Sequence, residues 1–323
     1  MSRNYGVGSR DMLFAFYILI NRFYQSFSTI DTNQKRIKQF VDWLKINTTI
    51  KRLEDVSKDI VLEYANYLKY SGLKIKTIHN RLSVVNILME LARGDRELWV
   101  SPVYDAKFDR KTNVAKQYKG ITEVDHQSLI LELPERISVL RKIQRGLGLR
   151  FEESCKEDYK RLWREFKNNG QVTILKGTKG GRKRVVVPLD SNYKSIESAL
   201  NHAAKLQGKN NSLIPQDKSY VEFKRECYQS LPKGSLSFHA ERHFFANELY
   251  SQLISEQLGY EITTPVLDEE YQKYMNGWCR YLSSKFDIDL DVVRKADEMV
   301  RLIVSECLGH SRIDVTASYV GGR

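Results

Sequence analysis

Residues 237–249 read SFHAERHFFANEL and bring His239, Arg242 and His243 within five positions. On a helix, positions i, i+3 and i+4 share one face, so these three side chains would project together. Such a face could be a metal site, a phosphate clamp or two solvated histidines. A zinc-protease helix needs a Glu directly after the first of two His at i and i+4. Here the carboxylate, Glu241, stands one place later and points away from any metal that His239 and His243 could share. No further ligand cluster accompanies them, so neither a metal nor another cofactor is expected. A phosphate clamp fits better, because the planar fork of an arginine matches phosphate oxygens. Taken alone, the same cluster is also what an ordinary structural helix would show.

Three other stretches carry chemistry-bearing residues in order. GLGLRFEES, residues 146–154, sets Arg150 just after a Gly-rich turn with Glu153 three places on. QVTILKGTKGGRKRVVVPL, residues 171–189, has valines and isoleucine flanking a turn rich in Gly and Lys, the pattern of a β-hairpin. Its basic residues, Lys176, Lys179, Arg182, Lys183 and Arg184, meet no acidic one. A solvated turn would also be basic, but charge this unbalanced suits a phosphate backbone. Finally CLGHSRIDVTASYVGGR, residues 307–323, places His310 and Tyr319 nine positions apart.

The chain that must position these residues has 323 residues, enough for two domains each with its own core. Its formal charge of +12 and pI of about 9.3 point to a polyanionic partner, most simply nucleic acid. Cys155, Cys227, Cys279 and Cys307 lie far apart without metal-site spacing, which fits a reducing cytoplasm. The run MLFAFYILI at 12–20 is too short to span a bilayer and reads as a buried helix. Residues 1–27 read as an N-terminal helical extension and 28–107 as a helical unit with Ser, Thr and Asp N-cap candidates and Gly72 and Gly94 as stops. Lys74, Lys76 and Arg81 lie at its helix edges, where they could grip DNA or form a solvated rim. Residues 108–120 lose periodicity and read as a linker; 121–323 form a second, mostly helical domain.

The ordered boxes resemble those of the tyrosine recombinase (phage integrase) family. GLGLRFEES is similar to its first arginine box, LKGTKGGRKRVVVPL to its lysine hairpin, FHAERHFFANELY to its His-x-x-Arg-His box, and LGHSRIDVTASYV to the box leading to the nucleophile. The resemblance covers about residues 28–323 and implies a mainly α fold with a small β-sheet. It implies a two-domain C-shaped DNA clamp, with a SAM-like core-binding domain and a mixed α/β catalytic domain. It further implies that Arg150, Arg242 and His310 hold the scissile phosphate and that Tyr319 attacks it to give a 3′-phosphotyrosine. Lys176 would protonate the leaving 5′ oxygen, with Lys179 its rival, and His239 would take or orient the tyrosine proton. Glu153 and His243 would support this cluster from behind. The implied partners are double-stranded DNA with short inverted core sites and further copies of the chain, a dimer on a site and a tetramer in synapsis. A directionality or accessory protein and a nucleoid-associated cytoplasmic location complete the expectation, with no role for a membrane.

The sequence departs from the family pattern between His239 and His310, which are 71 positions apart. The excess reads as an acidic helical insertion at about 259–300, with nine acidic against five basic residues. Tyr271, Tyr274, Met275, Trp278 and Leu282 fall on one helical face there and predict a packed helical pair. Only four residues follow Tyr319, so the expected tail helix is short, and the 27 residues before the core-binding unit are too few for an arm-binding domain. The function these features favour is a site-specific integrase of a mobile element. A type IB-like topoisomerase would share the chemistry, and a catalytically silent DNA-binding accessory protein would share the fold.

Overall fold

A computed structural model describes residues 3–110, 112–274, 277–310 and 312–322. The chain divides into two compact units, Met1–Thr112 and Asn113–Arg323.

In the first unit, α1 (Met12–Phe23), α2 (Phe27–Asn47), α3 (Lys58–Lys69) and α4 (Ile75–Arg93) share one core. Asp11 starts α1 by accepting the Phe14 N–H, and Ser57 does the same for α3 through Ile60. The apolar run at 12–20 buries Met12, Ala15, Phe16, Leu19 and Ile20 in this core. Among the described residues no helix is long and apolar enough to cross a membrane. The stretch read as a linker, 108–120, divides between the units. Phe108 is buried in the first core, whereas the Ala115 N–H donates to the Ala317 carbonyl in the second unit at 2.8 Å.

The second unit runs through α5 (Glu123–Glu132), α6 (Glu135–Leu147), α7 (Phe151–Lys156), α8 (Tyr159–Asn169), β1 (Val172–Ile174), β2 (Arg184–Val186), α9 (Tyr193–Gln207) and α10 (Tyr220–Gln229). It then continues through α11 (His239–Leu258), α12 (Glu269–Tyr274), α13 (Trp278–Phe286), α14 (Leu290–Cys307) and α15 (Ala317–Val320). The fold is thus mainly helical with one small antiparallel hairpin, in which Val172 faces Val186 and Ile174 faces Arg184. The central element is α11, buried along most of its length and packed against α6, α14 and α15.

The stretch read as an insertion is woven into the core. Tyr271, Trp278, Leu282, Val293 and Val300 share one cluster with Phe245, Tyr250 and Tyr319, while Met275 and the Tyr274 side chain lie outside the described residues. Its acidic count is partly structural. Asp297 accepts from the Tyr250 hydroxyl and from Arg301 Nε at 2.8 Å, and the Trp278 indole N–H donates to the Tyr250 hydroxyl at 2.8 Å.

Opposite the histidines, α11 is bolted to its neighbours by a buried carboxylate. Glu241 has no exposed surface; it accepts from Arg141 Nη2 at 2.7 Å, His126 Nδ1 at 2.9 Å and Arg145 Nη1 at 3.2 Å. Burial alone would raise its pKa, but these hydrogen bonds and charges outweigh burial and hold it low. Removing one member of such a cluster leaves buried charge uncompensated. Glu241→Ala should therefore lower unfolding stability by roughly 3–5 kcal/mol in urea denaturation; a loss below about 1 kcal/mol would mean that the cluster does not hold α11.

Candidate active site

Arg150 caps the start of α7, and its backbone N–H and Nη1 both donate to Glu153, each at 2.7 Å. The same carboxylate accepts from Nη1 and Nη2 of Arg184, each at 2.6 Å. Arg184 Nε then donates to the Cys307 carbonyl at the end of α14, at 2.8 Å. One fully buried carboxylate thereby joins the arginine box, the hairpin and the approach to His310. Burial would raise the Glu153 pKa, but Arg184 and Arg150 together bring it down to about 2.

Arg184 was expected to lie on DNA, and the structure corrects this. It is buried, facing inward with Val186 while Val185 and Val187 face solvent. The inward parity of a strand, in which alternate residues share a face, was the signal for this placement. Arg182, Lys183 and Lys179 are exposed on the turn, as are Lys74 and Lys76 at the start of α4 in the first unit; Arg81 is half-buried.

Arg242 has no exposed surface. Its Nη1 donates to the Gly148 carbonyl at 2.5 Å, its Nη2 to the Leu308 carbonyl, and its Nε to the Tyr319 hydroxyl at 3.1 Å. Burial lowers its pKa to about 10, and the positive charges of Arg150 and Arg184 add to that effect against the opposing pull of Tyr319. Nη2 of Arg150 and Nη2 of Arg242 converge on His310 Nε2, at 3.4 and 3.3 Å. Burial and these guanidiniums lower the His310 pKa to about 4, so the imidazole is neutral at neutral pH and its Nε2 accepts.

Tyr319, on α15, is 6% exposed. Its ring centroid lies 4.7 Å from that of His243, 5.9 Å from His239 and 6.2 Å from His310. His239 keeps one side open to solvent, yet desolvation of its packed side, with Arg242, Arg150 and Lys119 nearby, lowers its pKa to about 4. Lys119 had not been singled out in the sequence. His243 is buried, its Nδ1 without a hydrogen-bond partner among the described residues, and its pKa falls to about 3. No three His, Cys, Asp or Glu side chains among the described residues converge as metal ligands.

Lys176 stands apart from this cluster. It is exposed, and its Nζ donates to the Asn211 carbonyl at 3.4 Å. Its backbone is nonetheless fixed, because its N–H donates to buried Glu157 at 2.6 Å. The next residue, Gly177, has φ +70° and sits so close to α7 that a Cβ would lie 2.7 Å from the Glu152 carbonyl oxygen. Only glycine lets the hairpin turn meet the arginine box this closely.

The Glu153 cluster sets a pH dependence. Its carboxyl titrates near 2 in the fold and near 4.5 when free, so its contribution is complete above about pH 4.5 and is lost as pH falls towards 2. Glu153→Gln should cost roughly 3 kcal/mol at pH 7 and flatten that acid limb of the stability curve. An unchanged acid limb in the variant would show that another carboxylate governs it.

The Integrase family model matches residues 114–248, which contain Arg150, Lys176, His239 and Arg242. No curated protein sequence matches the chain. Among solved structures, the Tn1549 transposon integrase in complex with circular intermediate DNA has the same fold at 16% identity and a TM-score of 0.53, with 97% of this chain and 96% of that chain covered. The XerH site-specific recombinase bound to palindromic difH substrate, a post-cleavage complex, is 18% identical with a TM-score of 0.53 and coverage of 95% and 79%. A lambda integrase dimer bound to a COC′ core site is 12% identical with a TM-score of 0.56 and coverage of 95% and 93%. The Integrase match thus covers most of the second unit, and over nearly the whole chain the fold is that of these integrases and this recombinase.

Proposed function

We propose that the protein is a site-specific DNA recombinase that cleaves and rejoins strands through a 3′-phosphotyrosine, and that it moves a mobile element into or out of bacterial DNA in the cytoplasm. The observation that carries this reading is the hydrogen bond from buried Arg242 to the Tyr319 hydroxyl, beside the point where Arg242 and Arg150 both aim Nη2. That point holds a neutral imidazole nitrogen. A phosphate oxygen is a stronger acceptor for two guanidiniums, so the scissile phosphate would take that place and His310 would turn donor.

In the step itself the Tyr319 oxygen forms the new bond to phosphorus as the bond to the 5′ oxygen breaks. His239, unprotonated at neutral pH, receives the tyrosine proton, and an ammonium on the hairpin gives its proton to the 5′ oxygen. The ester is exchanged rather than hydrolysed, so a 5′-hydroxyl reverses the step. The exposed bases of the hairpin turn and of the α4 start would contact backbone phosphates. XerH on its palindromic substrate and the lambda integrase dimer on its core site suggest a dimer on inverted core sites here, with a tetramer in synapsis. An accessory protein setting direction would act on that assembly.

Incubation with sheared genomic DNA, stopped with SDS, should capture DNA covalently at a few discrete sites. Tyr319→Phe should abolish capture while leaving binding within about threefold. Capture at every sequence would favour a topoisomerase, and binding without capture an accessory protein. The second prediction concerns the hairpin ammonium. Lys176→Ala should slow cleavage by roughly 10²-fold or more and recover on a substrate whose 5′ leaving oxygen is replaced by sulfur, which departs without a proton. Recovery of Lys179→Ala instead would move the role to Lys179.

A further inference from the structure

The recombinase reading explains what Tyr319 does but not what holds it, and the contacts behind α15 supply that. Asn247 on α11 is fully buried, and its Nδ2 donates to the Tyr319 carbonyl at 3.3 Å and to the His243 carbonyl at 2.7 Å. Its Oδ1 is occupied in turn by the hydroxyl of buried Thr264 at 2.6 Å. Two residues on, the Val266 N–H donates to the Val320 carbonyl at 3.2 Å. From α14, Arg301 donates through Nη1 to the Gly321 carbonyl at 3.1 Å while its Nε is held by Asp297, and its own carbonyl accepts from the Thr316 hydroxyl at 3.0 Å. Gly321 itself, at φ +75°, lies in a slot where a Cβ would come within 2.6 Å of Val266 Cγ1 and 2.9 Å of the Ala115 carbonyl oxygen.

These contacts reach the nucleophile's backbone from both sides and come largely from the stretch 262–301. We propose that Asn247, Thr264, Arg301 and Gly321 are positioning residues that hold Tyr319 against Arg242 of its own chain. The stretch with an excess of acidic residues is thus the seat of the nucleophile. The helix α15 has four residues and cannot hold its own geometry, because a single turn gains too few hydrogen bonds to offset its ordering. Its hydroxyl is placed only as well as its backbone is. The inference rests on the recombinase reading for its catalytic consequence, though not for the placement of the ring.

Two variants test it, Gly321→Ala and Thr264→Val, with fluorotyrosine incorporated at Tyr319 and read by fluorine NMR. The unsubstituted chain should give one resonance displaced from free fluorotyrosine and shielded from a soluble paramagnetic quencher. Both variants should move it towards the free position in a chain that still folds cooperatively, at a lower melting temperature and with DNA affinity nearly unchanged. Single-turnover cleavage of a nicked substrate should slow about 10²-fold, the order expected for a misplacement near 1 Å. The slowing should be equal for oxygen and sulfur leaving groups, because the defect lies in attack. A resonance that stays in place in both variants overturns the inference, as does an unchanged rate or a slowing that sulfur relieves. If the unsubstituted chain forms no covalent complex, the recombinase reading falls, and the resonance still decides the placement.

Discussion

The carboxylate of Glu153 is the constraint on which the candidate site depends. A carboxylate with no exposed surface is unfavourable unless its oxygens are saturated, and here Arg150 and Arg184 saturate both. The partners come from α7 and from β2, and Arg184 reaches further to the carbonyl of Cys307. Three elements distant in sequence are therefore held at a few ångströms by one negative charge. Arg150 cannot leave without breaking two hydrogen bonds to that charge, so its Nη2 stays aimed at His310 Nε2.

That arrangement crowds positive charge. Arg150, Arg184 and Arg242 lie close enough to lower the pKa of His310, and Arg242 itself is brought down by burial and by its neighbours. Among the described residues, Glu153 is the carboxylate that pairs with Arg150 and Arg184. The surplus is a standing repulsion that an anion would relieve. Burial, with the same surplus beside it, keeps His239 and His310 neutral at neutral pH, one able to receive a proton and the other able to accept a hydrogen bond.

Much of this was legible in the sequence because the chemistry sits in short, ordered boxes. The helix bearing His239 and Arg242 follows from i, i+3 and i+4 spacing, and the hairpin follows from its glycines and valines. Arg184 was misread because its charge was counted while its strand parity was not. The role of 262–301 was hidden for a different reason. Asn247 and Thr264 are ordinary residues whose importance comes from pairing across 17 positions and with a backbone 72 positions away, and no local pattern encodes such a partner. The border between the units was blurred because residues 113–120 have no periodicity of their own and are held by backbone contact with α15.

Helix α11 carries His239, Arg242 and His243 on one side and Glu241, bolted to Arg141 and Arg145, on the other. A rod fixed on both sides can neither rotate nor slide without breaking ion pairs or unseating the tyrosine. Substitutions at exposed positions such as Arg182 and Lys183, which lie outside these buried ion pairs, leave the rod in place. Exposed charge and buried cluster are thus carried by separate parts of the second unit, and altering the one need not disturb the other.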